Sequence, residues 1–425
     1  IDAMCLIHGL QNLPYTYGGL AHQILSIVCK MGPVVHFVCD TYQSPSIKDV
    51  ERSKRYQHQE TSVRVTGSAQ KISCFKECLT DSGFKVSLFN FLADDWRKDT
   101  YAHLLKDKQI FLGINQTSYL YTSDTRNQHS ICRQVMELNS HHEEADTRIV
   151  FHLTHAIRNL PSQDSKLKAS IRATDTDVFI LLLHHAPNLD AQIYMDCGMD
   201  HDNTRKYIDI SSLAKSLGPK ICEALPGYHA FTGCDYTASF LNKGKVRPYR
   251  KMLKLSYSLD GFATLGDNIN VTADVAAAIE KFTCALYTSP RNITKVNEAR
   301  LAIFNKIIAP SKDDTPFDDL KKLDPCVMPP CKDTLAKKIE RSNYVAYLWK
   351  RANAATPQPH CPADHGWSLK ETSYCINWYD GPTLPSNLQA HIVVSNIMEE
   401  NNDGNESEFE SEDESDFDSD ASDIS

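Results

Sequence analysis

Val34-Val35-His36-Phe37-Val38-Cys39-Asp40 is a short β-rich run that stops at an acid. It predicts a buried strand with Asp40 at its carboxyl end. Two further stretches repeat the pattern: residues 169–174 lead into Asp175, and residues 192–195 lead into Asp196. Helical stretches such as 143–157 lie between them. Buried apolar strands separated by helices indicate an α/β domain with a mainly parallel sheet over residues 1–255.

Beyond that domain the pattern turns helical, over residues 256–350. Thr272 can cap a helix whose apolar face is Val275, Ile279, Phe282 and Leu286, at spacings of 4, 3 and 4. Leu335, Ile339, Val345 and Trp349 predict another helix. Residues 310–333, rich in Pro and Asp, read as a linker. Residues 351–398 form an extension holding several Pro and two of the four Trp. Residues 399–425 hold 13 acids and no Lys or Arg, too little apolar content to fold, and are expected to be disordered.

That tail governs the charge. The chain of 425 residues has 45 Lys and Arg against 54 Asp and Glu, a net −9. Residues 1–398 alone carry 45 basic and 41 acidic side chains, a net +4, so a nucleic-acid partner is not excluded. No apolar run approaches the roughly 20 residues that span a bilayer, so no membrane partner is expected. The 14 Cys are scattered, with no CxxC pair. That suits reduced thiols in an intracellular protein, nuclear or cytoplasmic. The chain begins at Ile1 and reads as a fragment, which leaves a leader open.

Three more segments place acids at element ends. They are His142-Glu143-Glu144-Ala145-Asp146-Thr147, Ala173-Thr174-Asp175-Thr176-Asp177-Val178 and Thr232-Gly233-Cys234-Asp235-Tyr236. In an open parallel sheet, ligands bind at the carboxyl ends of strands. Converging carboxylates repel one another unless hard cations neutralise them, and oxygen-only ligands suit Mg²⁺ or Mn²⁺. An acid-x-acid pair is common at this composition. The order, the flanks and the strand-end placement together carry the weight.

The ordered set resembles the flap endonuclease/XPG-type nucleases of the PIN-like superfamily. Ile1-Asp2-Ala3-Met4 resembles the family's opening strand-end Asp, and Val38-Cys39-Asp40 its second, with Thr41 where the family has Gly. Glu144-Ala145-Asp146 is similar to its Glu-Ala-Glu, Asp175-Thr176-Asp177 to its Asp-x-Asp, and Gly233-Cys234-Asp235-Tyr236 to its Gly-x-Asp-Tyr. The likeness covers residues 1–255. It implies a PIN-like three-layer fold in which Asp2, Asp40, Glu144, Asp146, Asp175, Asp177 and Asp235 hold two Mg²⁺ or Mn²⁺ ions. It also implies phosphodiester hydrolysis of DNA or RNA by a metal-activated water. Lys48 and Arg55, seven residues and about two helical turns apart, would clamp the phosphate; an ordinary solvated helix is the plainer account. The family's helix–hairpin–helix has no clear counterpart. In its place Pro248 is expected to interrupt any helix, although Lys243, Lys245, Arg247, Arg250, Lys251 and Lys254 could bind phosphates by charge.

Two other function classes stand beside this one. A catalytically inactive PIN-like module would bind nucleic acid or protein. An unrelated α/β hydrolase or phosphatase would act on small phosphoesters and would not bring Asp2 and Asp235 near Asp175. His360, Cys361, His365 and Cys375 are zinc ligands by type, at irregular spacing. Cys74 and Cys78 read as buried thiols, and His184-His185 has no evident partner. The tail can bind a basic protein, take phosphate on its serines, fold back as a nucleic-acid mimic, or simply solubilise.

Overall fold

A computed structural model describes residues 1–42, 45–48, 63–124, 128–160, 166–198, 204–287, 292–308, 327–357, 360–371 and 373–381. Ile1–Tyr379 form one compact unit. Asp380–Ser425 form a second, of which only Asp380 and Gly381 are described. The acidic tail at 399–425 and most of the expected 310–333 linker lie outside the described residues.

Two small sheets organise the α/β part. The first runs β1 (Val34–Val38), β2 (Gln109–Ile114), β3 (Thr117–Asp124), β4 (His129–Gln134) in that order. The second runs β5 (Leu167–Arg172), β6 (Ala191–Cys197), β7 (Lys206–Asp209). β1 pairs parallel with β2 and β5 with β6, whereas β2/β3, β3/β4 and β6/β7 are antiparallel. The expectation of a mainly parallel sheet is therefore corrected: the fold is mixed α/β with mixed sheets. The reason is local. Only Asn115-Gln116 separate β2 from β3, with Asn115 at φ +48°, and a two-residue turn can join only antiparallel strands.

Ile1 and Asp2 join the sheets. Val38 N–H donates to the Ile1 carbonyl at 2.9 Å and Asp2 N–H to the Arg172 carbonyl at 2.9 Å. Helices cover both faces. Val35 and Phe37 of β1 pack in one core with Leu20, Ile24 and Leu25 of the helix Tyr17–Met31 (α2, after the short α1 at Ala3–His8). Val38, on the other face, packs with Ile149 and Leu153. The short α3 (Phe75–Cys78) and α4 (Ser82–Asp95) complete the first layer, with Phe84, Leu88 and Leu92 buried. Across the sheet lie α5 (Ala145–Asn159) and α6 (Thr176–His185), whose leucine run is almost wholly buried.

Next come α7 (Ile210–Leu217), α8 (Pro219–Thr232), α9 (Val246–Lys254), α10 (Ser256–Thr264), α11 (Ala273–Tyr287), α12 (Val296–Ile308) and α13 (Lys332–Lys350). The Thr272 cap forms, with its hydroxyl accepting from Val275 N–H at 3.4 Å. Val275, Ile279 and Phe282 are buried as their spacing requires, and so are Leu335, Ile339, Val345 and Trp349 of α13. Pro248 does not break α9, which corrects the expectation from sequence. It lies in the first turn, where its absent N–H has no intrahelical partner to lose. Among the described residues no helix is long and apolar enough to cross a membrane.

Candidate functional site

Each expected acid sits where an element begins or ends. Asp2 caps α1, its carboxylate accepting from Met4 N–H at 2.8 Å. Asp40 follows β1 and reaches across to the next layer, where it accepts from Ala145 N–H at 2.8 Å and from the Tyr42 hydroxyl at 3.3 Å. It thereby meets an unpaired amide at the start of α5. Glu144 occupies the cap position of that helix without making the cap bond, and Asp146 lies in its first turn. Asp175 caps α6 through Asp177 N–H at 2.8 Å. Asp235 follows α8 after Gly233, at φ +122°, where a Cβ would come within 2.8 Å of Ser239.

These acids act on one another in an unbroken series. Burial raises Asp2 to about 6, and Asp40 adds to the rise. Burial pushes Glu144 up to about 7, against the pull of Lys48 and helped by Asp40 and Glu143. Burial, then Asp175, holds Asp146 well above the carboxylate range, with Glu144 and Asp177 contributing. Asp175 is raised by burial, then by Asp177 and Asp235. Residues from 2 to 235 therefore share one field, and its sign is an excess of negative charge.

Lys48 projects into that excess. Its ammonium bonds the Glu144 carboxylate and lies 3.4 Å from Asp235 Oδ2. It also sits 4.9 Å from the centre of the Tyr236 ring. Burial opposes its charge, but Glu144, Tyr236, Asp146 and Asp235 outweigh it and hold the ammonium well above its usual range. Arg55, its expected partner, lies outside the described residues.

Several participants were not singled out from the sequence. His229 Nε2 lies 2.7 Å from Asp177 Oδ1, its Nδ1 lies 3.0 Å from Lys245 Nζ, and its ring stacks on Trp349. A lone His inside an apolar helix reads as core until its neighbours are known. Glu143 receives the Ser46 hydroxyl. Lys245, expected on a phosphate-binding stretch, instead reaches the acids through His229. The remaining basic residues divide. Lys243 lies 4.2 Å from the Tyr287 ring centre and Lys251 donates to the Ala285 carbonyl. Arg247 and Arg250 are exposed on α9.

The other candidates go elsewhere. Asp196 is bound by Arg172 at 3.0 Å and Arg205 at 2.9 Å. His184 Nδ1 faces the Cys222 carbonyl at 3.2 Å, while His185 Nε2 faces that of Trp349 at 3.0 Å. Cys78 is buried, but Cys74 is exposed. His365 stacks on Tyr344 and Cys361 lies 3.5 Å from the Tyr374 hydroxyl. Among the described residues no group of three His, Cys, Asp or Glu side chains is already drawn together to hold a metal ion, at the acids or at the zinc candidates. The donor set at the acids nonetheless fits a hard cation: it is all oxygen, and among the described side chains Lys48 alone brings it an ammonium, with Asp177 buried, Asp175 exposed and the others half-buried. No family model matches the chain, and no curated protein does.

Proposed function

We propose that the chain is a metal-dependent phosphodiesterase acting on DNA or RNA, with the PIN-like three-layer arrangement and the site of the flap endonuclease type. The mutual elevation of Asp2, Glu144, Asp146 and Asp175 carries this reading. Carboxylates that are largely removed from water and repel one another cost stability, and a bound cation recovers it. Asp2, Asp40, Glu144, Asp146, Asp175, Asp177 and Asp235 would hold Mg²⁺ or Mn²⁺. When bound there, such ions would supply Lewis-acid chemistry for water and for the leaving oxygen.

The chain's own residues then bind and orient. Lys48 can move from Glu144 to a phosphate oxygen once the acids are otherwise neutralised. Arg247 and Arg250 offer exposed charge for the backbone of a nucleic acid. The bond from His229 holds the Asp177 carboxylate in one orientation.

One observation favours a second reading, an inactive module that binds nucleic acid or protein. The Lys48 ammonium already pairs with Glu144 and Asp235 and offsets one of their two charges without a metal. Thermal unfolding with and without Mn²⁺, on the chain and on Asp175→Asn, separates the two. The nuclease reading expects Mn²⁺ to stabilise the chain and not the variant, and expects cleavage of single-stranded, duplex or branched substrates. No Mn²⁺ response and no cleavage would leave the binding module. Cleavage of small phosphoesters alone would point to a phosphatase instead.

A further inference from the structure

Helix α13 begins at Lys332, well beyond Asp235, in the region that the sequence sets apart from the α/β domain. One of its faces nevertheless meets the segments that carry the acids. Lys338, Ser342, Val345 and Trp349, at spacings of 4, 3 and 4, share that face.

The Lys338 ammonium donates to the Ala238 carbonyl, at the end of the loop that bears Asp235. Ser342 Oγ donates to the Ala230 carbonyl at 3.3 Å, and Thr237 Oγ1 of the same loop donates to that carbonyl too. The Trp349 ring stacks on His229, whose Nε2 lies 2.7 Å from Asp177. Just past the helix, the Ala354 carbonyl lies 2.8 Å from His142 Nε2, and the Ala355 carbonyl accepts from His141 N–H at 2.8 Å. Those two bonds fix the approach to Glu143 and Glu144.

The Asp235 loop is narrow. Cys234 N–H bonds the Thr237 carbonyl at 3.0 Å and Thr237 N–H the Cys234 carbonyl at 3.2 Å, so Asp235 and Tyr236 form its tip. A two-residue tip moves with its base, and Lys338 holds that base.

Apolar packing alone gives Lys338 no reason to be there. Its Nζ lies 4.6 Å from the centre of the Phe240 ring and 5.4 Å from that of Phe231. Among the described residues no carboxylate pairs with it, and burial lowers its ammonium to about 7. The two rings offset part of the cost of that burial. An apolar side chain would fill the space without it. What the amine adds is the bond to Ala238.

We propose that α13 is the back wall of the acidic site, with Lys338 a positioning residue for Asp235 and Trp349 one for Asp177 through His229. The consequence for Mn²⁺ rests on the metal-dependent reading of the same acids.

The test uses the full chain. In Lys338→Met, exchange of the Cys234 and Thr237 amides is expected to quicken about tenfold, with the melting temperature equal to the parent's or higher. Ser342→Ala, a smaller change on the same face, should quicken them in the same direction. Ile279→Ala, in α11 of the neighbouring apolar core, should lower the melting temperature and leave the two amides as they are. By calorimetric titration, Mn²⁺ affinity should fall about tenfold in Lys338→Met and in Trp349→Leu. Trp349→Phe, which keeps a ring for His229, should recover part of that loss. Unchanged exchange in Lys338→Met and Ser342→Ala, or equal quickening in Ile279→Ala, would overturn the proposal. So would parent-like Mn²⁺ affinity in both Lys338→Met and Trp349→Leu. A parent chain that binds no Mn²⁺ refutes the metal reading alone, and exchange then decides the role of α13.

Discussion

Glu144→Gln tests the electrostatics of the acidic site without reference to any activity. Glu144 rises from 4.5 to about 7 in the folded chain. The folded state therefore binds more protons than the unfolded one between those values. Stability from this group is complete below about pH 4.5 and falls as pH climbs through 7. At 1.36 kcal/mol per unit, ionised Glu144 costs about 3 kcal/mol. Gln is neutral and nearly the same size, so it avoids that cost. Urea unfolding without metal should find the variant equal to the parent near pH 5 and about 3 kcal/mol more stable near pH 8. The difference between the chains must be read, because His36, His142 and His184 are lowered to about 3 by burial. Their contribution has the opposite sign, present above about 6.5 and lost as pH falls, and is common to both chains. If a metal occupies the acids, Mn²⁺ should stabilise the parent at pH 8 and narrow or reverse the gap. A difference independent of pH would show that Glu144 does not ionise among buried like charges, and the account of the site would fail.

Lys48→Met leaves Glu144 and Asp235 without their cation and should cost about 3–5 kcal/mol in metal-free unfolding near pH 8. The loss should shrink near pH 5, and calorimetric titration should find Mn²⁺ bound more tightly by the variant. His229→Ala should weaken Mn²⁺ binding about 10–100-fold by releasing Asp177, with His229→Gln recovering part of it; unchanged titrations would make His229 a core residue only. Gly233→Ala meets both the positive φ and the 2.8 Å approach to Ser239. It should destabilise by about 1–3 kcal/mol in urea and reduce the Mn²⁺ response.

Local pattern made a good part of this molecule legible. The run from Val34 to Asp40 is β1 with its terminal acid, and the leucine run after Asp177 is α6, because burial on every side leaves an apolar stretch whatever its neighbours. Period and cap placed α11 and α13 for similar reasons. The mixed order of the sheets was less visible, since Asn115-Gln116 is a weak turn signal beside Asn-Gly. The α9 helix was misjudged because the same proline that breaks a helix interior is tolerated in its first turn.

The acids divide along the same line. Their element-end positions were readable from flanking residues, since a strand's last residue and a helix's cap are local facts. What each carboxylate feels was not. Lys48 and Asp235 lie 187 positions apart, and His229 and Asp177 lie 52 apart. Sequence by itself determined the elements and which of them end in an acid, because hydrophobic period and capping are properties of a few adjacent residues. Only the tertiary structure decided that those acids share one field, that Lys48 enters it, and that His229 and Lys245 stand behind Asp177. Coulomb interaction depends on distance and burial, and packing between remote segments sets both.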